Sequence, residues 1–313
     1  MDEPTRRVLP TYTLGEYAAY FVRNLTPRTI FANLLALAWI LAASALVRWL
    51  TRMRSASEAK AAARAARQRL HSLGFVRLED GTIAHRETYI PPKLGVERLL
   101  MIPHGRTPSN VSLLFQSHAE GPDGELLPES RDEAAAGAAE FLKTWGARLR
   151  TSPKEFVFVR SPLRRCEQTA AVYVEAMAAL GLPTPEIIIE DALVEIDHAS
   201  WHGKRVEDLT GAARQAAAAY RRGDFLSRPA DGESLLDLMV RCRAWLGTLD
   251  EGGSTSAART RGRVVVAFGH GTFQNACETL LRTFGERPVK EVFTREKGRS
   301  HLRRGYAHGV WEP

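Results

Sequence analysis

The chain has 313 residues, of which 44% are hydrophobic, 25% charged and 8% aromatic, a composition that excludes collagen-like and wholly disordered chains. Its three cysteines, Cys166, Cys242 and Cys277, form no CxxC pair, which argues against a disulfide framework or a structural zinc site. The net charge of +7 is local: between Arg48 and Arg69 seven Arg and Lys residues face a single Glu58 and carry about +6 of it, so a nucleic-acid-binding domain is not expected.

Residues 1–29 hold Pro10, Pro27 and an aromatic patch of Tyr12, Tyr17, Tyr20 and Phe21, read as a short interfacial segment. Ile30 to Val47 is uncharged, with only Asn33 and Ser44 polar. As a helix these residues rise about 27 Å, close to one hydrocarbon core. Residues 30–50 therefore read as a transmembrane helix, with Trp49 at the interface and Arg48 snorkelling outward. A buried helix of a soluble core and a cleaved leader ending at Ala43-Ser44-Ala45 are the alternatives. The basic cluster after the span places the C-terminal part in the cytoplasm or the mitochondrial matrix, as a single-pass membrane protein.

Residues 51–95 read as a basic helical stalk and a short hairpin. The stalk is Ala/Arg-rich and suits either anionic lipid or plain solvent. The hairpin is expected around Asp80-Gly81, and Pro91-Pro92 closes the segment. From 96 to 313 strand-like and helical runs alternate. ERLLMIP, FVFVRS, EIIIE and VVVAFGH read as strands. Helices are expected over 127–150, 164–180, 205–222 and 233–249, and from 271 through Phe284. Such alternation implies a largely parallel sheet between helices, with ligands bound beyond the carboxyl ends of its strands.

Three of those strand ends carry polar residues suited to phosphate: Pro103-His104-Gly105-Arg106-Thr107 with Asn110 nearby, Arg160 to Ala170, and Gly269-His270-Gly271. A histidine between a buried strand and a glycine has little packing reason to be there, and two of them with an SPLxR turn make a constellation. Here the domain resembles the histidine phosphatase superfamily, the phosphoglycerate mutase-like fold. PHGRTPSN (103–110) stands where the family has RHGETxxN. SPLRRCEQTA (161–170) matches SPLxRxxQTA throughout. LVEIDHASWHG (193–203) resembles LxExxxGxWEG, and Gly232-Glu233-Ser234 followed by Arg241 resembles the family's GES turn.

The resemblance implies an α/β, three-layer α/β/α domain over 96–313. It implies that His104 attacks phosphorus to form phosphohistidine, that Arg165 and Asn110 bind phosphate, that His270 donates to the phosphoryl oxygens, and that Glu195 protonates the leaving group and later activates water. It implies no metal and no cofactor. The family arginine of the first motif is replaced by Pro103, which offers no side-chain donor and no N–H. Arg106 is the candidate substitute, and an outward Arg106 would leave a damaged site. His198 and His202 read as surface histidines, and the three cysteines as packing residues.

Two functions follow as expectations. One is a membrane-anchored phosphate-ester hydrolase of reduced activity, acting on a phosphorylated protein or a small phosphoester. The other is an inactive pseudo-phosphatase serving as an accessory subunit of a large membrane complex. Membrane lipid is a partner in both, and nucleic acid in neither.

Overall fold

The computed structural model describes residues 27–79, 82–249, 257–282 and 304–311, with the backbone alone for 27–34, 36, 37, 56, 257 and 258. The chain divides into two compact units, Met1–Arg64 and Ala65–Pro313. The expected interfacial segment and the turn at Asp80-Gly81 lie outside the described residues. Helix α1, Pro27–Ser72, runs for 46 residues without a Gly or Pro after its start, as its Ala/Arg/Leu content favours. In the first unit its side chains from Trp39 to Met53 are almost all exposed, Trp39 by 74%. Among the described residues no helix is long and apolar enough to cross a membrane; several side chains of the expected span, those of 30–34, 36 and 37, are outside that set.

The second unit holds the hairpin β1 (Phe75–Arg77) and β2 (Ile83–His85), paired antiparallel. Phe75 and Ile83 lie in the main hydrophobic core, so packing of this unit begins before residue 96. The chain then runs through β3 (Arg98–Pro103), α2 (Pro108–Val111), α3 (Pro128–Thr151), β4 (Phe156–Arg160), α4 (Arg164–Ala179) and β5 (Glu186–Ile189). It continues through α5 (Gly211–Arg221), α6 (Leu235–Thr248), α7 (Ala257–Thr260), β6 (Val264–Gly269), α8 (Gly271–Leu281) and β7 (His308–Trp311). Strand order is β5-β4-β6-β3-β7. The first four strands in that order are parallel. β7 is antiparallel to β3, an edge strand that the sequence reading did not anticipate, because its four residues HGVW carry almost no pattern.

Alternation along the central strands sorts their side chains into two layers. Leu99, Met101, Val157, Val159, Val265 and Ala267 pack with α6 and α8. Leu100, Ile102, Phe156, Phe158, Val266 and Phe268 pack with α3 and α4. Helices thus cover both faces, the three-layer arrangement the sequence implies. β6 is buried at every position, as a central parallel strand must be. Register aligns Pro103 of β3 with Gly269 of β6, and Arg160 of β4 with Phe268. Three strands therefore end at one level, and whatever follows them meets there.

Candidate active site

His104 follows β3 and His270 follows β6. Their rings stand 5.1 Å apart at 64°, and their side chains are almost fully buried. His104 extends the ladder by donating its N–H to Gly269 O at 2.9 Å. Its Nδ1 lies 2.7 Å from Gly105 O. A carbonyl only accepts, so Nδ1 carries the proton and Nε2 keeps its lone pair. Burial, then the charges of Arg304 and Arg165, hold the imidazole well below its ordinary pKa against the Gly105 bond. A neutral ring with a free Nε2 is the form a nucleophile requires.

His270 caps α8. Its Nε2 meets Ser161 Oγ at 3.1 Å and Cys166 Sγ at 3.4 Å. It too is held well below the usual range, by burial and then by Arg165 and His104. Cys166 is buried, and burial pushes its thiol up to about 12, so it packs rather than attacks.

Arg165, in the first turn of α4, is fully buried. One Nη2 bond reaches Ser117 O at 3.2 Å, while Nε and Nη1 are buried with no partner among the described residues. Ion pairs and hydrogen bonds normally complete a buried guanidinium. Two open donors on a fixed planar fork are a receptor for an oxyanion. The same helix also steadies the nucleophile loop: Thr169 Oγ1 donates to Arg165 O at 2.7 Å and accepts from Gly105 N at 3.1 Å.

Glu195 lies 12% exposed, its Oε2 3.9 Å from His270 Nδ1. Burial raises its pKa above the usual carboxylate value, opposed by the Ile196 N–H bond and then by Arg165, Arg241 and Arg304. A second arginine builds its loop. Arg241 pairs with Glu233 through Nε and Nη2 at 3.0 and 2.7 Å. Its Nη1 donates to Ala192 O and Val194 O at 2.8 Å each, and Nη2 to Glu195 O at 3.3 Å. Glu233 also accepts from Asp197 N at 3.0 Å. The GES turn and Arg241 thereby fix where the carboxylate stands.

The structure brings His104, Arg165, Glu195 and His270 together and separates the other two expected residues. Arg106 does not replace the missing motif arginine. Its N–H donates to Ser130 Oγ, Leu127 N donates to Arg106 O, and its half-exposed guanidinium pairs with Glu133 on α3. The backbone past Gly105 has turned toward the start of α3, which carries the side chain outward. Asn110 is tied into its own turn. Its Oδ1 accepts from Thr107 N in the capping box of α2 and its Nδ2 donates to Gln116 Oε1.

His198 is not a surface residue but is 6% exposed, among Phe115, Trp201 and Tyr220. His202 accepts a hydrogen bond from Ser117 N at 2.9 Å. Sequence reasoning missed Arg304, whose Nη1 lies 3.4 Å from His104 O. It stands beyond the last recognisable motif, and no spacing pointed to it.

His104, Glu195 and His270 offer ligand atoms within 4.8 Å of one another, a set that could hold a metal ion. The neighbouring guanidinium charges of Arg165 and Arg304 oppose a dication and favour an anion at the same place.

The α/β sandwich thus gathers two neutral histidines, a buried arginine with open donors and a carboxylate at the carboxyl edge of its sheet. The profile of the histidine phosphatase superfamily (branch 1) matches residues 99–296, well over half of the chain, and the chain belongs to that superfamily. No curated protein is significantly similar in sequence. Among solved structures, a mycobacterial glucosyl-3-phosphoglycerate phosphatase is 27% identical, over 63% of this chain and 83% of that one, with a TM-score of 0.43. YhfR of Bacillus stearothermophilus is 20% identical, over 68% and 87%, with a TM-score of 0.48. A putative alpha-ribazole-5'-P phosphatase of Escherichia coli is 17% identical, over 68% and 94%, with a TM-score of 0.47.

Stability should depend on pH through the buried neutral histidines. Burial, followed by Arg221, lowers the pKa of His198 to about 3. Between about pH 3 and 6.5 the unfolded chain binds a proton at this residue that the folded chain does not, so stability falls as the pH falls below about 6.5. His198→Phe removes that proton and should flatten the dependence by about 1.4 kcal/mol per pH unit. Urea unfolding from pH 7 to pH 5 measures it, and equal slopes for the two proteins would contradict the assignment.

Proposed function

We propose that this chain hydrolyses phosphate monoesters through a phosphohistidine on His104. The observation that carries the reading is the Arg165 guanidinium, buried beside two neutral histidines with two donors open. His104 Nε2 displaces the ester oxygen from phosphorus, and Glu195 gives that oxygen its proton. Water, deprotonated by Glu195, then attacks the phosphohistidine, which releases phosphate and restores neutral His104. Arg165 and His270 hold the non-bridging oxygens in both steps. The raised pKa of Glu195 suits a residue that must begin as an acid and then act as a base.

The protein should turn over p-nitrophenyl phosphate. His104→Ala should reduce the rate to background, and Arg165→Ala should cost about 10²–10³ in kcat/KM. Glu195→Gln should impair an alkyl phosphate more than the aryl ester, whose leaving group needs no acid. Equal rates for the parent and His104→Ala would defeat the hydrolase reading and favour the inactive accessory subunit.

Membrane attachment belongs to the same proposal. It is supported by the uncharged stretch 30–47 and by the exposed Trp39, Ile40, Leu41, Leu46 and Val47 of α1. The basic cluster that follows favours the cytoplasmic or matrix side for the phosphatase domain. The full chain should sediment with membranes after an alkaline wash, and Leu41→Arg, at a cost of about 2.5–3.5 kcal/mol of insertion, should weaken that retention. Full release of the parent chain by the wash would refute an integral span.

A further inference from the structure

We propose that Arg304, delivered by the C-terminal edge strand, supplies the second guanidinium of the oxyanion site, in the place that Pro103 leaves vacant. The inference rests on the phosphoryl-transfer reading of the site. It starts from topology. β7 runs antiparallel to β3, so the residues just before β7 arrive at the end of β3 where His104 begins. Leu100 pairs with Gly309 and Met101 with His308. The pairing continues past the strand: Gly305 N donates to Pro103 O at 2.8 Å. The residue that lost the motif's side chain thus anchors the segment that brings another arginine.

That segment is held from several sides. Tyr173 Oη donates to Gly305 O at 2.8 Å. Gly305 has φ +77°, and a Cβ there would stand 2.8 Å from Ala134 Cα, so this position requires glycine. A Cβ on Gly137 would stand 2.2 Å from Gly305 O, which makes the fit close from the α3 side as well. Arg304 is the adjacent residue and inherits the placement.

Its side chain enters the site and forms no ion pair there among the described residues. Nη1 reaches His104 O at 3.4 Å, a long bond that leaves most of the fork free. No carboxylate lies within ion-pair distance of it among the described residues. Its charge is felt at His104 and at Glu195. Burial lowers its own pKa, with Glu195 opposing and Arg165 adding to the shift. Two partly unsatisfied guanidinium groups, Arg165 and Arg304, therefore flank the nucleophile. Like charges so placed repel until an anion lies between them. A phosphoryl group losing its ester bond is such an anion, and Arg304 acts on its non-bridging oxygens without any covalent step of its own.

The test uses the full chain and three variants: Arg304→Met, which keeps the stem and removes the charge, Arg304→Lys, and Pro103→Arg combined with Arg304→Met. Arg304→Met should lower kcat/KM for p-nitrophenyl phosphate by about 10²–10³, and should reduce the rise in Tm produced by orthovanadate. Arg304→Lys should fall between Arg304→Met and the parent. Adding Pro103→Arg should recover part of both readouts, which a merely structural role for Arg304 would not allow. Should Arg304→Met fold poorly, Arg304→Lys against the parent decides by the same two readouts.

If Arg304→Met matches the parent while His104→Ala is inactive, the inference is overturned and the phosphohistidine reading stands. If the parent itself is inactive, the vanadate shift alone decides. Loss of that shift in Arg304→Met upholds the oxyanion role, and an undiminished shift overturns it.

Discussion

A fully buried guanidinium with two open donors sets the terms for the rest of this molecule. Taking Arg165 out of water costs several kcal/mol that a single 3.2 Å bond to Ser117 O does not return. The surrounding structure tolerates it because the fold holds it there: α4 fixes its backbone, and Thr169 ties that helix to Gly105. Burial keeps His104 and His270 neutral, with Arg165 adding to it, and the same cation opposes the rise that burial gives the pKa of Glu195. The four groups are one electrostatic unit.

Around that unit the structure invests in position. Parallel register brings the ends of β3, β4 and β6 to one level, so His104, the turn that carries Arg165 and His270 meet without long loops. Glu195 arrives differently, on an irregular segment after β5, and needs its own support. Arg241 provides it by binding three backbone carbonyls of that segment and the Glu233 carboxylate together. A cation spent on backbone carbonyls and paired once is a structural element. Arg165, with donors left over, is a binding element.

The sequence made the sheet legible because central parallel strands are apolar throughout. VVVAFG shows this, as do FVFVR apart from its closing arginine and RLLMIP apart from its leading one, and a turn or helix start follows each. Their order in space was not legible, since pairing is decided by helices packing on both faces. His104, Arg165 and His270 were readable because each follows a strong local strand, whereas Glu195 was readable only through its resemblance to a family segment. Arg106 misled the reading because its neighbour Gly105 turns the chain toward α3, a fact of backbone direction that composition does not carry. His198 misled it because Phe115, distant in the chain, closes an aromatic pocket with Trp201 and Tyr220 that receives it.

By itself the sequence determined the layered α/β class and the histidine, arginine and glycine residues that close its strands, because these depend on local residue type and spacing. Only the tertiary structure decided where a second guanidinium could come from. An antiparallel edge strand of four residues, placed beside β3 by hydrogen bonds that no local pattern announces, carries Arg304 back some 200 positions to the nucleophile.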